Sequence, residues 1–529
     1  MIIDKINSVV IVGGGSSGWM SAATLIKFYP NLNVTLIESE NIPTIGVGES
    51  TQASITSWFN MLGIDHKDMM RETDASYKLG IKFTDFYEKD DGGFFYPFGQ
   101  GVFENYHHEI DSSTIWNFKK LFYKNIKNSD YANCFYPQMS LINSNTIIDT
   151  DELDGFNIKN DVAFHFDALK MAKYLKDKFA IPRGVKHVLA DVLDVSVGDY
   201  GIEKIKLSNG EEVYADLFID CTGFKALLIG QHMNSEFIRF DDKLPVNRAW
   251  AIQLSYKDKN KEMLNYTDST ALSSGWVWAA PLWSRIGTGY VYSDKFISPE
   301  DALEEFKEHI RKIRGEGFIS DDSVFRDIKF TSGMRKDSWV KNVVAIGLSA
   351  GFIEPLESNG LHTTYELLLK LVKSLNRGFV NQWDIDSYNY IAYSTITSFK
   401  EFVQSHYFLS KRSDSEFWKH IRSISPVDNF HDVTIEKTYL KNFAFDKMGP
   451  FGAFKTNTNT GWHCISAGMN YSSIGLDSAA LYSLKLQHSL EEITKDFILK
   501  NSKDRSNWNL IAKKSLSHEE YLKKFVHNV

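Results

Sequence analysis

Disulfides, membrane spans, repeats and basic tracts are all missing from this 529-residue sequence. Cys134, Cys221 and Cys464 are its only cysteines. Three cannot build a disulfide framework, and an odd count suits a reducing compartment. No apolar run reaches the ~18 residues that cross a bilayer. Met1–Ser8 lead straight into a strand-like segment with no charged leader or cleavage site, so no secretory signal is expected and the expected location is cytoplasmic. Lys and Arg number 59 against 67 Asp and Glu, a net charge of −8, and no stretch is basic. That balance excludes nucleic acid as the main partner. No Cys/His spacing suggests a metal site. Prolines are few, at 11, and no low-complexity tract or long linker divides the chain. At ~100–200 residues per domain there is room for three or four domains, or for fewer interwoven ones. Rings are abundant: 12 Trp, 24 Tyr and 37 Phe make 14% of the residues, enough for a large core and for flat pockets lined by aromatics.

The N-terminal segment carries the clearest pattern. Val9–Val12 is a β-branched run of the kind that forms a buried parallel strand. Gly13, Gly15 and Gly18 then fit G-x-G-x-x-G, with Ser16 and Ser17 inside it. A helix is expected over Trp19–Phe28 and a second strand over Val34–Ile37, ending in Glu38 twenty residues beyond Gly18. Each part has a physical task. Gly13 allows the tight turn, Gly15 lets backbone approach a pyrophosphate, and Gly18 lets helix pack on strand. The phosphates meet free N–H groups at the helix start, and Glu38 accepts ribose hydroxyls. Strand, turn, helix, strand and acid in register indicate a dinucleotide site, FAD or NAD. No second fingerprint of this quality occurs, so one chain holds one dinucleotide.

Later segments read as further strands of the same α/β domain: Glu212–Thr222, ending near Asp220, and Asn342–Gly347. The nucleotide domain is therefore expected to be discontinuous. Asp167–Lys178 reads as an amphipathic helix, and Val185–Val197 with Ile202–Leu207 as strands of a small sheet. Phe237–Tyr292 alternates strand-like runs with turns, and the chain from Asn381 onward reads as mainly helical. Pro355, Ser358 and Asn359 precede the apolar-periodic run Leu361–Leu375, a good helix start whose free N–H groups suit an anion.

Eight segments in order then carry a resemblance. They are GGGSSGW (13–19), IGVGES (45–50), YKLGIKF (77–83), FHFDALK (164–170), DLFIDCTGF (216–224), GWVWAAP (275–281), GLSAGFIEPLESNG (347–360) and SHYFLSKRSDSEFW (405–418). Together they resemble the flavin-dependent halogenases of the tryptophan-halogenase type, over most of residues 8–420. The resemblance implies a fold of the flavin monooxygenase type. Residues 1–375 would form a discontinuous FAD-binding domain with substrate-side insertions near 80–160 and 235–330, and residues 376–529 a mainly helical substrate-side region. It implies a reaction in which reduced FAD and O2 give a hydroperoxide that oxidises chloride, bromide or iodide to hypohalous acid. Lys78 matches the lysine that relays the electrophile to an electron-rich indole or phenol, and Glu357 matches the catalytic glutamate. The backbone of Asn359 and Gly360 would bind halide; many relatives have threonine where Asn359 stands.

Trp276 and Trp278 match the pair that shields the flavin, although Ala280 replaces the usual isoleucine of that motif. Ser50, Val188, Leu348 and Leu361 correspond to flavin neighbours. His165 and His406, each in a matching segment, are expected to make structural hydrogen bonds. A separate flavin reductase is the implied partner, and the chain is compatible with a homo-oligomer. From the residues alone each position also has a plainer reading. Lys78 and Lys82 could be two exposed charges, Glu357 a carboxylate favouring a helix dipole, and Trp276 and Trp278 core residues on one strand face. An aromatic monooxygenase on the same fold is the alternative activity, and a flavin-binding carrier a third class.

Overall fold

The computed structural model describes residues 3–41, 49–102, 115–116, 119–120, 122–123, 125–320, 322–424, 458–471 and 490–528. Residues 45–48 of the IGVGES segment, and 425–457 and 472–489 of the C-terminal region, lie outside them. A six-stranded sheet forms the nucleotide side. Its order is Trp339–Val340, Val343–Ala345, Leu217–Asp220, Ser8–Val12, Asn33–Glu38, Lys186–Leu189. All neighbours are parallel except the first pair. Val9–Val12 is central and almost solvent-free, as a strand covered on both faces requires. Its strands come from distant stretches of the chain, so long excursions leave and re-enter this sheet between them.

A seven-stranded sheet forms the other side, in the order Arg326–Lys329, Arg248–Leu254, Ile286–Tyr292, Gly275–Pro281, Thr267–Ala271, Gly80–Thr84, Gly93–Pro97. Only Thr267–Ala271 and Gly80–Thr84 pair in parallel. Alternation divides its residues between two cores. Val277, Ile252 and Ile286 pack with Phe306 and Ile310 of the helix Pro299–Arg314, whereas Trp276 and Phe83 join the main core. The 27-residue helix Gln382–Phe408 meets that second face, with the His406 ring 4.8 Å from Phe83. A small sheet of Glu49–Ser50, Ala163–Phe166 and Ser76–Lys78 has strands interleaved in sequence with those of the two large sheets and carries the candidate site residues Ser50 and Lys78.

Several expected elements differ in extent. The first helix begins at Ser16, not Trp19, with Gly15 as its N-cap. Val185–Val197 is two strands in different sheets, Lys186–Leu189 and Val192–Gly198, because the chain is pinned between them at Asp191 by Ser39, Asn41 and Ser208. Glu212–Thr222 likewise splits into Glu212–Val213 and Leu217–Asp220, with Asp216 between them accepting from the N–H groups of Asn7 and Ser8. The helix at Asp167 is capped by that carboxylate, and gives way to a π-helical turn over Leu175–Ala180. No helix among the described residues is long and apolar enough to cross a membrane.

Candidate active site

The glycine turn is built by close approach. A Cβ at Gly13 would overlap the Cys221 carbonyl, and one at Gly18 would overlap the Gly13 carbonyl. Gly14, a variable position of the fingerprint, is equally constrained, since its Cβ would strike the Glu38 side chain. The turn therefore presents bare backbone, and the first-turn N–H groups of Ser16, Ser17 and Gly18 have no carbonyl one turn earlier in the helix. This cradle fits a pyrophosphate. Glu38 closes its far end, with one carboxylate oxygen 2.8 Å from His187 Nε2, a partner the sequence did not reveal. Val188, next to His187, pairs with Ile37 at the sheet edge. The turn Gly347–Ser349 carries partly exposed Leu348 and packs against Ser17 on one side and Thr364 of the helix Asn359–Leu375 on the other. Leu361, in the first turn of that helix, is buried.

Lys78 lies at the end of its strand with no exposed surface. Its Nζ donates to the Thr51 carbonyl (2.9 Å) and to Ser358 Oγ (2.8 Å), and stands 4.9 Å from the centre of the Phe98 ring. Burial pulls the Lys78 ammonium well below its ordinary pKa, with the Glu357 carboxylate opposing that shift. Lys82, in contrast, lines a cavity on the opposite face of the seven-stranded sheet, beside Asp268 and Arg314. The two lysines are thus not a pair of surface charges.

Glu357 is also fully buried, and its backbone carbonyl accepts from Gln52 Nε2 at 2.8 Å. One carboxylate oxygen lies 2.8 Å from His406 Nε2, without the alignment of a full hydrogen bond. The other His406 nitrogen is 2.8 Å from the Phe402 carbonyl, which only accepts, so Nδ1 carries a proton. His406 therefore does make a structural hydrogen bond, and it also faces the carboxylate. Its position in a matching segment was visible; the contact was not.

Ser358 takes the N-cap position of the helix that starts at Asn359, as its place in the sequence suggests, but not with ordinary cap geometry. It sits at φ 55° in the left-handed region and makes no side-chain cap. Its hydroxyl instead accepts from Lys78 and donates to Ser50 Oγ at 3.1 Å. Asn359 is buried beside the Glu354 carbonyl, whereas a Cβ at Gly360 would meet no atom of the described residues within 4 Å, so among them space is open at the helix start.

Trp276 and Trp278 share one face of the strand Gly275–Pro281, with ring centres 6.4 Å apart. Trp276 Nε1 donates to Glu354 at 3.1 Å, and the Tyr407 hydroxyl donates to the same oxygen. Burial pushes the Glu354 carboxyl up to about 7, restrained by these two donors. The other Glu354 oxygen is buried and has no hydrogen-bond partner among the described residues. Neither Glu354 nor Phe98 was singled out from sequence; the aromatic run Phe94–Phe98 was the available signal for the latter.

Lys78, Glu357 and Ser358, all buried, and the half-buried Ser50 thus form one cluster, with Asn359 and Gly360 next to it in the chain. The fingerprint glycines, Glu38 and Val188 form a second, and the Gly347 turn packs against the helix starts of both. Among the described residues no group of His, Cys, Asp and Glu is arranged to hold a metal ion.

Comparison with known proteins places the chain in context. Residues 8–472 match the family model described as tryptophan halogenase. The chain is 33% identical over 494 residues to the tryptophan 7-halogenase RebH of Lentzea aerocolonigenes, covering 88% of this chain and 90% of that one. It is 31% identical over 496 residues to the tryptophan 6-halogenase ThaL of Streptomyces albogriseolus, with the same shares. Among solved structures, apo VirX1 superposes with a TM-score of 0.86 at 34% identity, over 99% of this chain and 100% of that one. The tryptophan 6-halogenase SttH of Streptomyces toxytricini gives 0.82 at 28% identity, over 98% and 99%.

Proposed function

The chain belongs to the tryptophan halogenase family, and we propose that it halogenates an electron-rich indole or phenol ring, with Lys78 holding the electrophile and Glu357 taking the ring proton. It is a flavin-dependent halogenase. The hydroxylase alternative is not favoured, since the relatives are named halogenases.

The observation that carries the residue assignment is the burial of Lys78. A lysine without exposed surface, anchored by a carbonyl and a hydroxyl and set near a buried carboxylate, is not a solvated charge. When bound in the Gly13–Gly18 cradle, FAD supplies the oxidation of halide by O2 to hypohalous acid, after reduction by a separate reductase. The backbone N–H groups of Asn359 and Gly360, at a helix start with open space before it, suit the halide. Lys78 fixes hypohalous acid against the arene, which replaces a free oxidant by a positioned one. As the ring carbon–halogen bond forms, the ring C–H proton passes to a Glu357 oxygen and its electron pair restores aromaticity. Trp276 and Trp278 exclude the arene from the flavin side by bulk. Tryptophan is one candidate arene, because relatives are named for it. The location is cytoplasmic.

The test is mass spectrometry of reactions with FAD, a flavin reductase, NADH and each of L-tryptophan, indole and phenol. Chloride, bromide and iodide are supplied in turn, with a halide-free control. A halogenated product that disappears in Lys78→Ala, while flavin still binds and reoxidises, is expected. Halogenation retained by that variant would sink the assignment, and oxygenated product without halide would replace it by a hydroxylase.

A further inference from the structure

The hydroxyls beyond Lys78 form a line. Ser358 Oγ donates to Ser50 Oγ (3.1 Å), Ser50 Oγ lies 2.9 Å from Thr267 Oγ1, and Thr267 Oγ1 lies 2.8 Å from His165 Nε2. On the far side of that ring, Nδ1 lies 3.3 Å from Ser76 Oγ, which donates to the Pro281 carbonyl.

The direction of this line is fixed at both ends. A carbonyl only accepts, so Ser76 gives its one proton to Pro281 and turns a lone pair to Nδ1, which therefore carries the ring proton. The neutral imidazole then presents a lone pair at Nε2, and Thr267 donates to it. From the other end an ammonium only donates, so Ser358 accepts from Lys78 and passes its own proton to Ser50. Because Thr267 has given its one proton to Nε2, Ser50 meets Thr267 as the donor. The two ends are compatible, and each hydroxyl accepts once and donates once.

We propose that Ser358, Ser50 and Thr267 relay a proton between Lys78 and His165, so that Lys78 meets hypohalous acid as a free amine. This rests on the reading of Lys78 as the residue that holds the electrophile, and it makes His165 a positioning residue. One Lys78 N–H bond breaks, each hydroxyl gains a proton from behind and loses one ahead, and an N–H bond forms at Nε2. The amine lone pair then bonds the halogen, and the halogen–oxygen pair leaves as hydroxide, which takes one proton from the nitrogen to become water. When the halogen moves to the ring, the His165 proton returns through the line to the Lys78 nitrogen. The ring proton, held on Glu357, then restores the ammonium.

Charge favours one proton for the pair rather than two. Lys78 and His165 are both without exposed surface, burial pulls each well below its ordinary value, and the charge of Lys78 depresses His165 further. Glu357 favours the proton on Lys78, and His518 opposes a proton on His165.

Thr267→Val keeps the side-chain shape and removes one link; Thr267→Ser restores the hydroxyl. With the arene and halide that the wild type converts fastest, the valine variant should halogenate roughly a hundredfold more slowly at neutral pH. Flavin binding and reoxidation should be unchanged, and the rate should recover as rising pH deprotonates Lys78 directly. The serine variant should stay close to wild type. A valine variant matching wild type in rate and pH profile overturns the relay, whereas halogenation retained by Lys78→Ala overturns the underlying reading instead. Independently of turnover, 15N-histidine NMR of the flavin-free protein, assigned with His165→Gln, should show the proton on Nδ1. The opposite tautomer overturns the relay even if the valine variant misfolds.

Discussion

The nucleotide cradle and the lysine cluster solve opposite problems. The cradle lies within Gly13–Glu38 and works by leaving things out: Gly13, Gly14 and Gly18 withhold side chains that would strike the Cys221 carbonyl, Glu38 and the Gly13 carbonyl, so the turn closes tightly on itself. The lysine cluster draws Ser50, Thr51, Lys78, Glu357, Ser358 and His406 from separate stretches of the chain and fills its space with polar groups. A steric site is broken by adding atoms, whereas a polar one is broken by removing a single donor or acceptor. The first should fail at binding and the second at chemistry.

The sharpest separation is between Gly18→Val and Lys78→Ala. The valine side chain has no room against the Gly13 carbonyl, so that variant should purify without flavin and form no product. Lys78→Ala should also form no product yet retain flavin, which absorbance after gel filtration distinguishes. Equal flavin loss in both would collapse the contrast.

A smaller effect is expected from His406→Phe, which removes the nitrogen facing Glu357 while keeping a ring against Phe83. Single-turnover halogenation should slow by about 10- to 100-fold, with flavin retained. An unchanged rate would confine His406 to its bond with the Phe402 carbonyl.

The smallest concerns Glu354. Its carboxyl is raised from 4.5 to about 7 in the folded protein. The native state therefore binds more protons than the unfolded one between those values, and stability falls as pH rises through that window. The cost at pH 8 is on the order of 3 kcal/mol. Glu354→Gln should show a smaller drop in thermal midpoint from pH 5 to pH 8 than wild type. An identical drop in both would locate the titration elsewhere.

The same division governs what the sequence disclosed. The cradle was legible because its residues are neighbours and its glycines have one physical use. Its helix start was misjudged by three residues, since Ser16 and Ser17 read as turn residues yet begin the helix. Lys78 and Glu357 were found through resemblance alone; nothing in local pattern separates Lys78 from Lys82, whose opposite environments come from tertiary packing. The further role of Ser358 was hidden for the same reason. A serine before an apolar helix is a common cap, and only the approach of Lys78 from a distant strand gives its hydroxyl other work. Thr267, His187 and the Glu357–His406 contact left no local trace, because each depends on a partner more than forty residues away.

The ring beneath Lys78 bears on how such a protein survives its own reagent. On the proposed reading of Lys78, an electrophilic halogen held there would endanger nearby nucleophiles, and the ring 4.9 Å from Nζ belongs to Phe98, which has no activating oxygen or nitrogen. The phenol of Tyr96 stands one ring further out, 5.5 Å from Phe98 between centres. Cys464, near enough for the Glu357 charge to act on it, is buried and its thiol pushed far up, so it stays protonated and a poor target. The ring set nearest the Lys78 nitrogen is thus one that resists electrophilic attack.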